Sequence, residues 1–265
     1  ERILVREIPD DAERAAALAR GEIDIAHIKP QQLGMIDGAH ARVVRMATGA
    51  WRGMPLNLRR AAMADPRVRQ AIDLALDREM IVKEALPGGG APAYQPLPPA
   101  SWAFMREMDR PYQDMKRAGM LLDWAGWTRG PDGLRRRKGS GTPLTLRLIV
   151  WKDETFRRSA ADVISRQLAV AGIVVEQHLV DNVEYNRLAA NMTTEYDGFI
   201  GGWGALLDPG DNLYKKFHSL GSQNAMGFSE PEVDRMLEQA RAVTDMNLAR
   251  VIYRRLMERL RAEAV

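Results

Sequence analysis

The sequence predicts an α/β fold, and three observations carry that prediction. Between residues 144 and 201 short apolar runs alternate with helical ones: strand 144–150, helix about 157–171, strand 173–180, helix about 183–192, strand 197–201. Such a βαβαβ run argues for parallel pairing with right-handed crossovers. Asp65-Pro66 is a strong helix start, because the aspartate accepts N–H groups of the first turn and a proline at the first helical position forfeits no hydrogen bond. Val68, Ile72 and Leu76 then fall four apart on one apolar face. Finally, 265 residues of which 46% are hydrophobic and 28% charged can bury a core for one large or two small domains.

Composition also excludes. No cysteine occurs, which removes disulfides, thiolate nucleophiles and thiolate metal sites together. A net charge of +3, from 38 basic and 35 acidic residues, gives little reason to expect a nucleic-acid partner. No apolar run approaches the roughly 20 residues of a membrane helix, and the first residues are not a signal peptide.

In chain order, Ile3 to Arg6 reads as a strand, Asp10 as an N-cap with Glu13 completing a capping box, Gly21 as the helix stop, and Ile23 to Ala26 as a second strand. Val43 to Met46 and Pro55 to Leu58 read as strands flanking Gly49-Ala50-Trp51-Arg52-Gly53. Pro87 to Pro99 is too rich in proline and glycine for regular helix and is expected to wrap the surface. Its Gly88-Gly89-Gly90 lacks the Lys and Ser/Thr of a phosphate-binding loop. The basic run Arg135-Arg136-Arg137-Lys138, between turn signals and a strand, reads as a solvated hairpin tip. Ser229 and Glu232 form a capping box before Val233, Met236, Leu237 and Ala240. Asp245 caps a last helix carrying Val251, Ile252, Leu256 and Leu260, with Arg250, Arg254, Arg255, Arg259 and Arg261 on its solvated face.

Catalytic chemistry finds little support. His27, His40, His178 and His218 are scattered without metal-ligand spacing, and no serine sits in a nucleophile elbow. Met105, Met108, Met115 and Met120 occupy helical apolar positions, where methionine fills gaps in a core. The segment Gly201-Gly202-Trp203-Gly204-Ala205-Leu206-Leu207-Asp208-Pro209 carries more weight. Glycines beside a tryptophan after a buried strand let a ligand approach the backbone, at the sheet end where ligands gather. On the residues alone, a core tryptophan in a tight turn is an equal alternative.

The stretch from Asp65 to Glu79, preceded by Leu56-Asn57-Leu58 and followed by Gly88-Gly89-Gly90-Ala91-Pro92-Ala93, resembles the periplasmic solute-binding proteins of bacterial peptide and nickel ABC importers, often called family 5. The resemblance continues, in the family's order, through Gly21-Glu22-Ile23-Asp24, the helix about 116–122 closing at Ala125-Gly126-Trp127, Gly172-Ile173-Val174-Val175, Tyr196-Asp197-Gly198-Phe199-Ile200, Gly202-Trp203, Asp208-Pro209 and Ser229-Glu230-Pro231-Glu232-Val233-Asp234. It implies a type II periplasmic-binding-protein fold, with residues 1–46 completing part of a first lobe and residues 47–265 forming a second lobe around the βαβαβ core. It also implies that a signal segment and a long N-terminal portion lie outside this chain, and that relatives continue beyond Val265.

The implied activity is capture of a peptide or other small solute by hinge closure and delivery to a membrane permease, in the periplasm or as an envelope lipoprotein, without cofactor or covalent chemistry. Trp51 and Arg52, where relatives cross between lobes, become hinge or cleft residues. Gly202, Trp203, Gly204, Leu206, Leu207 and Asp208 become pocket residues. Two departures stand out. Peptide-binding relatives place an aspartate where this chain has Leu206, and the nickel branch places a tyrosine where it has Leu207. Asp208 could shift into the missing acid's role, and His218 lies in the region from which nickel receptors draw a histidine. Two other readings stay open: an enzyme whose active residues lie outside this chain, and an interaction scaffold that has lost solute binding. A receptor would leave Trp203 partly exposed, whereas a scaffold would cover it.

Overall fold

A computed structural model describes residues 2–36, 41–45, 49–190, 195–204 and 208–264. The chain divides into two compact units, residues 1–47 with 86–91 and residues 48–85 with 92–265.

The smaller unit is built on α1 (Asp11–Ala19) and a 3-10 turn, Pro30–Met35. Asp10 caps α1 as expected, accepting from the Glu13 N–H at 2.8 Å, and Gly21 ends it at φ 73°. Arg14 ties the flanking chain to this helix, donating to the carbonyls of Ile8 and His27. The expected strands 3–6 and 23–26 are absent, as is any strand over 41–45, while Met46 lies outside the described residues. A strand is stable only when its backbone groups pair with a neighbour. Ile3, Leu4 and Val5 pair with none among the described residues and are 91%, 80% and 91% exposed.

The larger unit begins with β1 (Trp51–Gly53), α2 (Ala61–Ala64), α3 (Pro66–Ala75) and α4 (Arg78–Ala85). Here the expected strand 55–58 gives way to a single bridge, Leu56 to Gly198, because the true strand is the Trp51–Gly53 segment that the sequence offered as a connector. Asp65 caps α3 through the Arg67 N–H at 2.9 Å, and Val68 and Ile72 are buried on its inner face. Then come α5 (Met115–Trp124), β2 (Trp127–Arg129) and β3 (Arg135–Arg137), the last two a hairpin. After them follow β4 (Thr145–Trp151), α6 (Thr155–Val170), β5 (Val174–Val180), α7 (Asn182–Ala190), β6 (Gly198–Phe199) and β7 (Gly201–Trp203). Three helices close the unit: α8 (Pro209–Phe217), α9 (Pro231–Ala242) and α10 (Met246–Glu263).

The core is the expected parallel sheet, in the order β5-β4-β6. Central β4 is buried on both faces from Leu148 to Val150, as a parallel strand between helix layers must be, while Arg147 nearer its start is exposed. Leu146, Leu148 and Val150 join one cluster with Val68, Ile72, Leu122 and Ile164 from α3, α5 and α6. Ile149 joins the other, with Leu188, Leu213, Leu237 and Leu256 from α7 to α10. Asp197, 3% exposed, fixes the start of β6. Its carboxylate accepts from Arg60 Nε and from the Arg147 N–H, both at 2.8 Å.

Several surface expectations are corrected. Arg135 is 4% exposed, not solvated, since its guanidinium donates to Asp123 and to the carbonyls of Trp127 and Ala171. The loop 87–99 turns inward at Gln95 and Leu97, the glutamine exchanging two hydrogen bonds with the Met105 backbone. Arg250, Arg254 and Arg261 on α10 strap the 94–108 segment through Trp102 O, Glu107, and the carbonyls of Tyr94 and Met108. Val251 faces outward at 47% exposure. Glu230, not Ser229, caps α9: its carboxylate reaches the Val233 N–H at 2.8 Å, with Pro231 in the first turn.

Candidate functional site

At the carboxyl end of the sheet, β1 and β7 form a two-stranded antiparallel ribbon with Trp51 opposite Trp203, Arg52 opposite Gly202 and Gly53 opposite Gly201. Alternation along a strand puts both indoles and the two outer glycines on one face, and Arg52 with Gly202 on the other. The indoles stack at 4.3 Å between ring centroids, 25° from coplanar. The glycines are their floor. A methyl group on Gly53 would stand 2.8 Å from Trp51 Cζ3, and one on Gly201 would stand 2.6 Å from Trp203 Cη2. The third glycine, Gly202, accommodates Arg52, whose Nη1 would lie 2.5 Å from an added Cβ. The glycine pattern therefore serves the protein's own side chains first, and among the described residues nothing stands within 4 Å of a Cβ added at Gly204.

Behind the ribbon an aromatic chain leads into the sheet. Trp203 lies 6.4 Å from Phe199, which meets Tyr185 edge-on at 6.1 Å, and Tyr185 lies 6.3 Å from Trp151 at the end of β4. The Tyr185 hydroxyl donates to the Ile200 carbonyl at 2.6 Å, and burial pushes its pKa up to about 12. Arg157, in the first turn of α6, lays its guanidinium 4.4 Å from the Tyr185 ring centre and 5.2 Å from that of Trp151, while its Nε faces Glu154 at 3.0 Å. Arg52 reaches over the same turn, 6.0 Å from the Phe156 ring. Nε1 of Trp51, Nε1 of Trp151 and Nη1 of Arg157 are buried donors without a hydrogen-bond acceptor among the described residues.

Of the residues singled out by sequence, the structure gathers Trp51, Arg52, Gly202 and Trp203 into one ribbon, with Gly204 beside it. Leu206 and Leu207 lie outside the described residues. Asp208 is engaged as the N-cap of α8, its Oδ1 accepting from the Gly210 N–H at 2.8 Å. Trp151, Glu154, Phe156, Arg157 and Tyr185 were missed. The signal was present, since the rule that ligands gather at the carboxyl ends of parallel strands applies to the end of β4 as much as to the segment around Trp203.

His218 is occupied by structure. It is 3% exposed and stacked on Tyr214 at 4.1 Å, with Nδ1 accepting the Leu220 N–H at 3.0 Å. That bond leaves the ring proton on Nε2, which faces Glu238 at 3.3 Å. Among the described residues no group of three or more His, Asp or Glu is placed to hold a metal ion, and no helix is long and apolar enough to cross a membrane.

Comparison with known proteins agrees with this architecture. The sequence profile of bacterial extracellular solute-binding proteins, family 5 Middle, matches residues 1–224. The chain is 30% identical over 259 residues to protein XP55 of Streptomyces lividans, covering 96% of this chain and 46% of that protein. It is 28% identical over 250 residues to the oligopeptide-binding protein AppA of Bacillus subtilis, covering 90% and 44%. The structure of B. subtilis AppA in complex with a nonapeptide superposes with a TM-score of 0.82 at 25% identity, over 97% of this chain and 51% of that one. The fold is thus of the type II periplasmic-binding-protein kind, and the chain spans about half the length of the relatives it matches. With a profile match over most of its length, this chain belongs to the bacterial extracellular solute-binding proteins of family 5.

Proposed function

We propose that this chain is the greater part of the second lobe of a periplasmic or envelope-anchored receptor that captures a small solute and delivers it to the permease of an ABC importer, with residues 1–46 belonging to the first lobe. The observation that carries the reading is the stacked Trp51–Trp203 pair, held on a glycine floor at the carboxyl end of the parallel sheet. Rigid aromatic surface at that place binds the flat or apolar part of a solute at small entropic cost. The half-buried state of both indoles supports a receptor over a scaffold, which would cover them. Trp51, Arg52, Gly202, Trp203 and Gly204 are proposed to line the cleft, with Leu206, Leu207 and Asp208 on its rim. Lobe closure follows because the bound solute contacts both lobes only in the closed state. AppA of B. subtilis is an oligopeptide-binding protein whose structure holds a nonapeptide, and a peptide or another solute of similar size is proposed here.

Trp203→Ala in the full-length protein is expected to weaken solute binding about tenfold or more, on the order of 1.4 kcal/mol, while the lobe stays folded. Calorimetry with the solute found by screening, alongside circular dichroism, checks this. Unchanged affinity in the folded variant would remove the indole pair from the binding surface.

A further inference from the structure

We propose that the outer face of α5, together with the β2–β3 hairpin beside its carboxyl end, is a docking surface for an anionic phospholipid bilayer, and that Trp124 is the residue that enters it. This face shares no residue with the solute site proposed above. Two tryptophans three residues apart are used differently here. Trp127 is 7% exposed beneath the Arg137 guanidinium, which lies 5.4 Å from its ring centre, whereas Trp124 is 64% exposed. Met120, one helical turn earlier and 43% exposed, lies on the same stripe, and Lys116 and Arg117 lie a further turn back. The core takes the other side of the helix, through Ala118, Leu121 and Leu122.

Three successive carbonyls at the end of α5 gather cationic residues around the exposed indole. Trp124 O accepts from Arg67 Nη1 at 2.8 Å, Ala125 O from Arg137 Nη1 at 3.3 Å, and Gly126 O from the Lys138 N–H at 2.9 Å. The negative end of the helix accounts for the two guanidinium positions. It does not account for the indole, since any residue would supply that carbonyl. The nearby acids are already engaged: Asp65 pairs with Arg67, Asp123 pairs with Arg135, and Asp114 caps α5 through the Arg117 N–H. Lys116, Arg117, Arg137 and Lys138 are exposed and pair with no carboxylate among the described residues. The face therefore carries surplus positive charge around an uncovered indole and thioether. Negative charge spread over an apolar layer answers both features at once, because lipid phosphates attract Lys and Arg while an indole settles at the level of the headgroups. A polyanion in solution answers only the charge.

The test uses the full-length protein, prepared without any attached lipid, and its sedimentation with vesicles of phosphatidylcholine alone or with about one third phosphatidylglycerol. The variants are Trp124→Ala, the pair Lys116→Gln with Lys138→Gln, and, as an equal loss of charge on another face, Arg235→Gln with Arg255→Gln on α9 and α10. All five side chains are exposed, and circular dichroism checks that each variant keeps the fold. The expected result is partition onto the anionic vesicles about tenfold above the neutral ones, falling as salt is added. Trp124→Ala weakens that binding several-fold and lowers the quenching of protein fluorescence by bromine-labelled acyl chains. The Lys116 and Lys138 pair brings binding near the neutral-vesicle level, while the remote pair leaves it near that of the wild type. Equal binding to both kinds of vesicle, including none to either, overturns the proposal. So does a remote pair as damaging as the patch pair, which would reduce the effect to net charge, and so does Trp124→Ala binding like the wild type. Binding to polyglutamate but not to vesicles would assign the face to an acidic protein, and dimerisation abolished by Trp124→Ala without vesicle binding would assign it to a second copy; either result overturns the proposal as well.

Discussion

Lys216 sits in α8 with 3% of its surface exposed and, among the described residues, one neutral hydrogen-bond partner, Asn212 Oδ1 at 3.0 Å. Burial disfavours its charged form and lowers its pKa to about 8. Above that pH the native state releases the proton, while the unfolded chain holds it up to the ordinary lysine range. Between the two the unfolded state binds more protons, so the contribution to stability rises with pH. Lys216→Met is therefore expected to be more stable than the parent at pH 7, with the difference shrinking as the pH passes from about 8 toward 10. Urea denaturation of both proteins across that range measures it, and a difference independent of pH would contradict the assignment. Nothing in the sequence marks Lys216 apart from its neighbour Lys215, because a helix records which face is apolar but not how deeply a flanking cation is drawn in. Arg135 and Arg136 make the same point: adjacent in one basic run, one is enclosed by carbonyls and the other pairs with Asp132 at the surface.

Elements governed by local chemistry were legible and those governed by distant partners were not. The caps at Asp10, Asp65 and Asp245, the glycine stops and the three parallel strands all follow from neighbours within a few residues. The β1–β7 ribbon joins segments about 150 residues apart, and β1 has too few residues to show alternation. The junction of α6 and β5 shows how tightly a legible element is held. Gly172 lies at φ 83°, and a Cβ there would meet the Gly133 carbonyl of the β2–β3 hairpin at 2.6 Å. Gly172→Ala is expected to cost more than about 1 kcal/mol, from the left-handed backbone and this contact together. The same substitution at Gly21, which has a similar φ and open space, is expected to cost the backbone part alone. Chemical denaturation of the two variants separates the contributions, and equal losses would show that the hairpin gives way.

Across the whole chain the two units differ in how their backbones are satisfied. β4 pairs on both sides and lies between two apolar clusters, whereas residues 2–9 form neither helix nor strand and carry Ile3, Leu4 and Val5 in the open. Hydrogen exchange of the 265-residue chain is expected to reach the global unfolding limit in β4 and to be near the unprotected rate over residues 2–9. Strong protection of residues 2–9 would mean that they find a strand partner. The family resemblance placed Trp51 and Trp203 in one region from the sequence, but only the register set them face to face. Two indoles 4.3 Å apart and 25° from parallel no longer absorb as independent chromophores. Their transitions couple, so the pair is expected to give a circular-dichroism couplet in the ultraviolet that Trp51→Phe or Trp203→Phe would abolish. The ribbon thus carries its own label-free gauge of strand alignment, readable before any solute is known.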